Sequence, residues 1–360
     1  MKYTIFGESH GPAIGVVLEG VPAGLELDLE ALRAEMARRA PGNNPLSTAR
    51  KEADEVNIIS GFFEGKTTGA PLTMVIQNSD QHSGDYDALR YTPRPSHGDF
   101  AGFMASKGCQ DHRGGGHFSG RLTAPLVAAG AVAKQLLAQQ GIEVWAHISN
   151  MDSIWDDGFI TFTEGDDDCT VIAPREDLEA LPQKAFPVLN DEAGEKMKAR
   201  ILEVKEEGDS LGGDIECAVT GVPAGFGAPD FGKNVEGIFS QYLFAVPAVK
   251  AVSFGAGFLF SEMLGSEAND PFEVKDGKVV THRNNAGGIN GGITNGMPII
   301  FFVTLRPTPS IAQPQQSVDL RTGEEVEIEI TGRHDPCIVP RAVPVIEAAA
   351  ALAACEVLGI

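Results

Sequence analysis

Residues 121–140, Arg121-Leu122-Thr123-Ala124-Pro125-Leu126-Val127-Ala128-Ala129-Gly130-Ala131-Val132-Ala133-Lys134-Gln135-Leu136-Leu137-Ala138-Gln139-Gln140, spell a helix of Ala, Val and Leu whose polar residues gather towards its C-terminal end. A helix that is apolar all round has no face to give to water and must be covered on every side. The last stretch of the chain, about 341–358, is a second helix of the same kind, rich in alanine. Two such helices call for an architecture that encloses them, and sheets above and below do so.

The two helices are also the last members of a repeat. Val17-Leu18-Glu19-Gly20-Val21-Pro22-Ala23-Gly24 is echoed by Ala218-Val219-Thr220-Gly221-Val222-Pro223-Ala224-Gly225, and Thr68-Gly69-Ala70-Pro71-Leu72 by Asn295-Gly296-Met297-Pro298-Ile299. The helix from Arg121 and the helix from Arg341 then follow in the same order, each with a proline in its first turns and a run of alanines. The reading is one domain over 1–360, an α/β fold of two pseudo-symmetric βαβ-type halves, roughly 1–150 and 210–360, with buried central helices between two sheets. Chance similarity of Gly-Pro turns is the competing explanation. The acidic stretch 151–189 has no counterpart and reads as an exposed insertion.

Further elements follow from local signals. Asp28 is an N-cap for a helix carrying Leu29, Leu32 and Met36 on one face and stopping at Pro41-Gly42. Amphipathic helices are expected over about 191–207 and 235–244. Strands are expected over about 15–19, 71–77, 144–148, 214–220 and 298–304, where short β-branched runs are bounded by Gly or Pro.

The chain has 360 residues, 42% hydrophobic and 22% charged, the balance of a globular protein with a substantial core. No leader segment precedes the first motif, and no apolar run approaches the roughly 18 residues a spanning helix needs, so a cytoplasmic protein with no membrane partner is expected. The 5 cysteines are scattered without a CxxC pair, which points to neither a disulfide framework nor a zinc knuckle. A net charge of −22 repels phosphate backbones and argues against nucleic acid as a partner. Arginines nevertheless recur beside the glycine-rich motifs, at Arg38, Arg39, Arg50, Arg94, Arg113, Arg121, Arg306, Arg333 and Arg341. Guanidinium forks grip carboxylates and phosphates, so a small anionic substrate fits that pattern better than a set of surface ion pairs.

Three distant motifs carry candidate chemistry: Gly7-Glu8-Ser9-His10-Gly11, Pro93-Arg94-Pro95-Ser96-His97-Gly98-Asp99 and Gly332-Arg333-His334-Asp335-Pro336-Cys337. A histidine beside Gly or Pro sits on a turn with a fixed backbone, where its ring can face a cleft. His10, His97 and Asp335 would then supply two proton donors and a base near neutral pH. Each has a plainer reading: His10 as a turn histidine, Asp335 as an ion-pair partner. No HxxxH or HExxH spacing supports a metal, adjacent Ser9 and His10 do not make a nucleophile and its base, and the glycine loops match neither phosphate-loop nor dinucleotide fingerprints.

These motifs, with Arg113-Gly114-Gly115-Gly116, Asn285-Ala286-Gly287-Gly288-Ile289 and Arg306-Pro307-Thr308-Pro309-Ser310 between them, make the chain resemble the chorismate synthase family over nearly its whole length. The resemblance implies a β-α-β sandwich, a homotetramer and a carbon–oxygen lyase of the shikimate pathway that leads to the aromatic amino acids. The implied reaction is a 1,4-trans elimination of phosphate from 5-enolpyruvylshikimate 3-phosphate that gives chorismate and requires reduced FMN, with NADPH as a possible reductant. By the same resemblance His10 would protonate or steady the leaving phosphate, His97 would hold a proton against the flavin N1 region, and Asp335 would act with flavin N5 in removing the ring proton. Substrate contacts fall on Ser9, Arg39, Arg50, Arg113 and Arg121. Flavin contacts fall on His117, Phe118, Ser119, Gly291, Arg306, Thr308, Ser310 and Arg333. The sequence departs from the usual family pattern at His117-Phe118, Pro45, Pro247, Arg306 and Pro309. Two other outcomes stay open at this point: a flavin-binding relative without elimination activity, and an acid/base lyase that uses the histidines without flavin.

Overall fold

The two stretches that echo one another in sequence become matching sheets. In a computed structural model, which describes residues 1–42, 46, 54–78, 90–162, 169–170, 172–330 and 335–360, the first half carries strands β1 (Lys2–Gly7), β2 (Ala13–Glu19), β3 (Val56–Ser60) and β4 (Leu72–Gln77). The second carries β5 (Glu143–Met151), β6 (Gly213–Thr220), β7 (Val249–Phe254) and β8 (Ile299–Leu305). The first sheet runs β1-β2-β4-β3 and the second β5-β6-β8-β7, with the short strand Ile154–Trp155 added outside β5. The order is the same in both, and every pairing within them is antiparallel. Because β4 lies between β2 and β3, those two strands run parallel, and each half is a split βαβ unit.

The described helices of eight residues or more are α1 (Leu29–Arg39), α2 (Asp99–Ser106), α3 (Thr123–Ala138), α4 (Asp191–Glu206), α5 (Val235–Phe244) and α6 (Val339–Leu358), of which α1, α3, α5 and α6 pack together between the sheets. Asp28 caps α1 through its side chain, accepting from the backbone of Glu30 and Ala31. The inward faces of the strands follow the period of two: Ile14, Val16 and Leu18 on β2 and Leu72, Met74 and Ile76 on β4 are buried. Helix α3 lies on that face, α6 lies on β5 and β6, and the two helices pack on each other. Their approach is close enough that a Cβ on Gly130 would sit 2.2 Å from Cβ of Ala348.

Glu347 is a carboxylate inside this apolar stack, 2% exposed. Arg38 of α1 grips it through two hydrogen bonds of 2.6 and 2.8 Å, and Lys134 of α3 adds a third. Burial pushes its carboxyl up, but Arg38 and Lys134 outweigh that and hold it down at about 2. The three helices are therefore locked together by one ionised group.

One expectation needs correcting. The stretch 151–189 is acidic but it is not simply an exposed insertion. Phe159, Leu178 and Leu181 from it form a second small core with Trp145, Ala218 and Ile300, which point outward from the second sheet. That sheet has apolar residues on both faces, so its outer face needs a cover. The cover is pinned by His147, fully buried on β5, whose Nδ1 meets Asp156 and whose Nε2 meets Glu216, each at 2.8 Å. Residues 163–168 and 171, the most acidic part of the stretch, lie outside the described residues.

Candidate active site

The connection between β4 and α3 in the first half, and its equivalent between β8 and α6 in the second, meet at one cavity of about 300 Å³. His97, Phe118 and Ser119 come from the first connection; Arg306, Ser310 and Asp335 from the second. Arg39, at the end of α1, and Arg121, just before α3, complete the gathering of residues singled out from sequence. Pro247 and Pro309 also line this cavity.

His10 is not part of the cavity lining and stands behind it. Gly7 ends β1 at φ +93°, and a Cβ there would lie 2.3 Å from the carbonyl oxygen of Ala13, so the chain turns at once into β2. The turn is clasped by Asn78, whose amide donates to the carbonyls of Glu8 and Gly11 at 3.1 and 2.8 Å. Ser9 donates its backbone N–H to Gly116 at 3.2 Å. His10, 4% exposed, lies under Gly114, which lines the cavity. Gly114 has φ +60°, and a Cβ on it would fall 2.0 Å from Nδ1 of His10 and 2.9 Å from Oγ of Ser9. That hydroxyl is buried and has no hydrogen-bond partner among the described residues.

His97 is fixed by its own loop. Asp99, in the first turn of α2, accepts from Arg94 Nε at 2.7 Å and from its Nη2 at 2.9 Å, and it faces Nδ1 of His97 at 2.8 Å. Arg94 Nη2 stands 3.1 Å from the same nitrogen, so Nδ1 is engaged by its own loop and Nε2 is the ring nitrogen turned away from Asp99. Burial pushes the Asp99 carboxyl up, but the bonds from Arg94 and His97 hold it well below the usual carboxylate range. Arg306 donates to the carbonyl of Ser96, tying the His97 loop to the second half.

Asp335 pairs with Arg341 of α6 at 2.6 Å, and Nε of Arg341 donates to the carbonyl of Arg39 at 3.1 Å. Arg39 spends all its nitrogens: Nη1 on Asp54 at 2.6 Å, Nε on Thr123 and Nη2 on the carbonyl of Gly120, both at 3.1 Å. Arg121 donates to the other oxygen of Asp54, and to Asn78 at 3.2 Å. Burial lowers Arg39 to about 10; Asp54 opposes the fall and the neighbouring Arg341 and Arg121 add to it. The cavity wall thus carries a cluster of three guanidiniums, with Asp335 beside them and Asp54 behind, a surface that can bind a multiply charged anion.

Several expected residues stand elsewhere. Arg113 pairs with Asp111 at 2.6 Å and does not line the cavity. His117 turns its Nδ1 to the carbonyl of Gly7 at 2.9 Å, and Gly291 lies on the separate hairpin Ile289–Asn290/Ile293–Thr294. Thr308 is next to lining residue Pro309, with its hydroxyl buried and unbonded among the described residues. Arg50 and Arg333 lie outside the described residues, as does His334. Conversely, Arg94 and Arg341, which the sequence reading named only among the arginines suited to an anion, line the cavity, and Asp54 and Asp99, to which it gave no role, hold lining residues in place. Arg94 and Asp99 flank His97 in its motif and could have been found; Asp54 sits in no motif.

With this geometry in place, comparisons with known proteins agree with one another. The family model for chorismate synthase matches residues 1–358. Chorismate synthase of Thermococcus gammatolerans is 45% identical over 348 residues, covering 97% of this chain and 93% of the relative. That of Methanosarcina mazei is 46% identical over 351 residues, covering 98% and 92%. A crystal structure of chorismate synthase superposes with a TM-score of 0.73 at 29% identity, covering 99% of this chain and 91% of that one.

Proposed function

The chain belongs to the chorismate synthase family of carbon–oxygen lyases, and we propose that the cavity between its halves is where 5-enolpyruvylshikimate 3-phosphate meets a reduced FMN. Its reaction is the family's: phosphate and a ring proton leave, and chorismate remains. The observation that carries the site assignment is that His97, Asp335 and the guanidiniums of Arg39, Arg121 and Arg341 open onto one hollow.

The residues present fit a flat aromatic cofactor beside an anion. Phe118, about half exposed, and the apolar Val246, Pro247 and Leu305 offer planar contact. Arg306 and Ser310 stand on the same wall with polar groups for the cofactor's edge. When bound, reduced FMN would supply electron density to the allylic system as the phosphate departs. The arginine cluster binds the substrate's phosphate and carboxylates and holds the ring in one orientation. His10, behind Gly114, donates a proton to the leaving phosphate. His97 holds a proton on Nε2, backed by Asp99 at Nδ1. Asp335, steered by Arg341, takes part in accepting the ring proton.

Anaerobic turnover with chemically reduced FMN tests the reading: chorismate should form only when the flavin is present and reduced. Product at full rate without flavin would leave an acid/base lyase instead. NADPH-driven turnover in air, set against the dithionite-driven reaction, tells whether the chain reduces its own flavin. A reduced cofactor and the free buried thiols of Cys217, Cys337 and Cys355 suit the cytoplasm. The exposed Phe272, Val274 and Val279, on one face of the hairpin Phe272–Lys275/Lys278–Thr281, offer apolar surface that suits self-association, as a homotetramer on the family pattern.

A further inference from the structure

We propose that Asp54 is a positioning residue for substrate binding: its carboxylate sets the Arg39 and Arg121 guanidiniums side by side on the cavity wall. Its two oxygens are divided between them, Oδ2 to Arg39 at 2.6 Å and Oδ1 to Arg121. All three residues are buried, at 3%, 3% and 5% exposure. Two like charges so close in a dry wall repel, and a third, Arg341, is within reach of Arg39. Without a shared anion the forks would swing apart or withdraw. Asp54 also holds a backbone angle of φ +48°, a conformation that costs free energy and persists where the surroundings impose it. A buried carboxylate kept at a strained position between two cavity-lining arginines serves their placement, not its own contact with a ligand: Asp54 is absent from the cavity lining.

The inference rests on the reading of Arg39 and Arg121 as the grip on the anionic substrate. Asp54→Asn is the test, since Asn matches Asp in size and tolerates a left-handed backbone. The KM for the phosphorylated substrate should rise about tenfold, the loss expected for a charge-assisted bond, while kcat stays within about threefold because uniform binding is what is lost. The rise in melting temperature on adding inorganic phosphate should shrink in parallel. A lower melting temperature with KM and the phosphate shift as in the unchanged chain would show a merely structural carboxylate and overturn the proposal. If the Asn form does not fold, Asp54→Glu, which keeps the charge but displaces it by a methylene, should also raise KM with kcat retained; an unchanged KM there overturns it equally. Arg121→Met separates the two levels. If it leaves KM and the phosphate shift untouched, the reading of the grip fails and the inference with it; if it raises KM and the Asp54 variants do not, the inference alone fails.

Discussion

At the scale of single residues, the site depends on where side chains are missing as much as on where they are present. Gly114 leaves the space that His10 occupies: any Cβ there would meet the imidazole at 2.0 Å. His10→Ala should therefore cut turnover by roughly 10²–10⁴, the range for a proton donor, and Gly114→Ala should approach the same loss by displacing the ring. The double variant should be little worse than either, since both remove one function. Steady-state rates with reduced FMN check this; additive losses would separate Gly114 from His10. The motif around His10 was legible in sequence because its glycines and its histidine are neighbours. The Asp54 bridge was not, because its partners lie 15 and 67 positions away and no motif marks it.

At the scale of elements, His147 shows the same contrast. Its partners Asp156 and Glu216 are 9 and 69 positions away, and nothing beside it in sequence suggests a role. Burial alone would lower its pKa, yet the bonds to the two carboxylates raise it from 6.5 to about 9. The imidazolium thus contributes stability that is complete below pH 6.5 and fades as the pH rises through about 9, on the order of 3 kcal/mol by linkage. In urea melts from pH 6 to 10, His147→Gln should be less stable than the unchanged chain at the acid end and converge with it at the alkaline end. A constant gap would mean that packing, not charge, is what His147 contributes. Element boundaries were easiest to read where a cap or a stop residue marks them, as with Asp28 before α1. The strands β3 and β7 lie at sheet edges with few fully buried residues, unlike β4 with its three buried apolar side chains, and were not expected.

At the scale of the molecule, the repeat was legible because each half must solve the same packing problem and uses the same Gly-Pro turns to do it. What the repeat does not convey is the asymmetry between its two connections, which line the cavity with different side chains. Cutting the chain at Gly141, an exposed glycine between α3 and β5, and producing 1–140 with 141–360 should yield fragments inactive alone that copurify and recover turnover together. Turnover by either fragment by itself would contradict a site built from both.

That division of walls has a chemical corollary. A pair of identical repeats facing each other could offer a ligand only the same groups on either side. An elimination that needs an acid at one face of a ring and a base at the other requires two repeats that have diverged. Joining them in one polypeptide fixes their ratio at one to one, so every donor is made together with its acceptor.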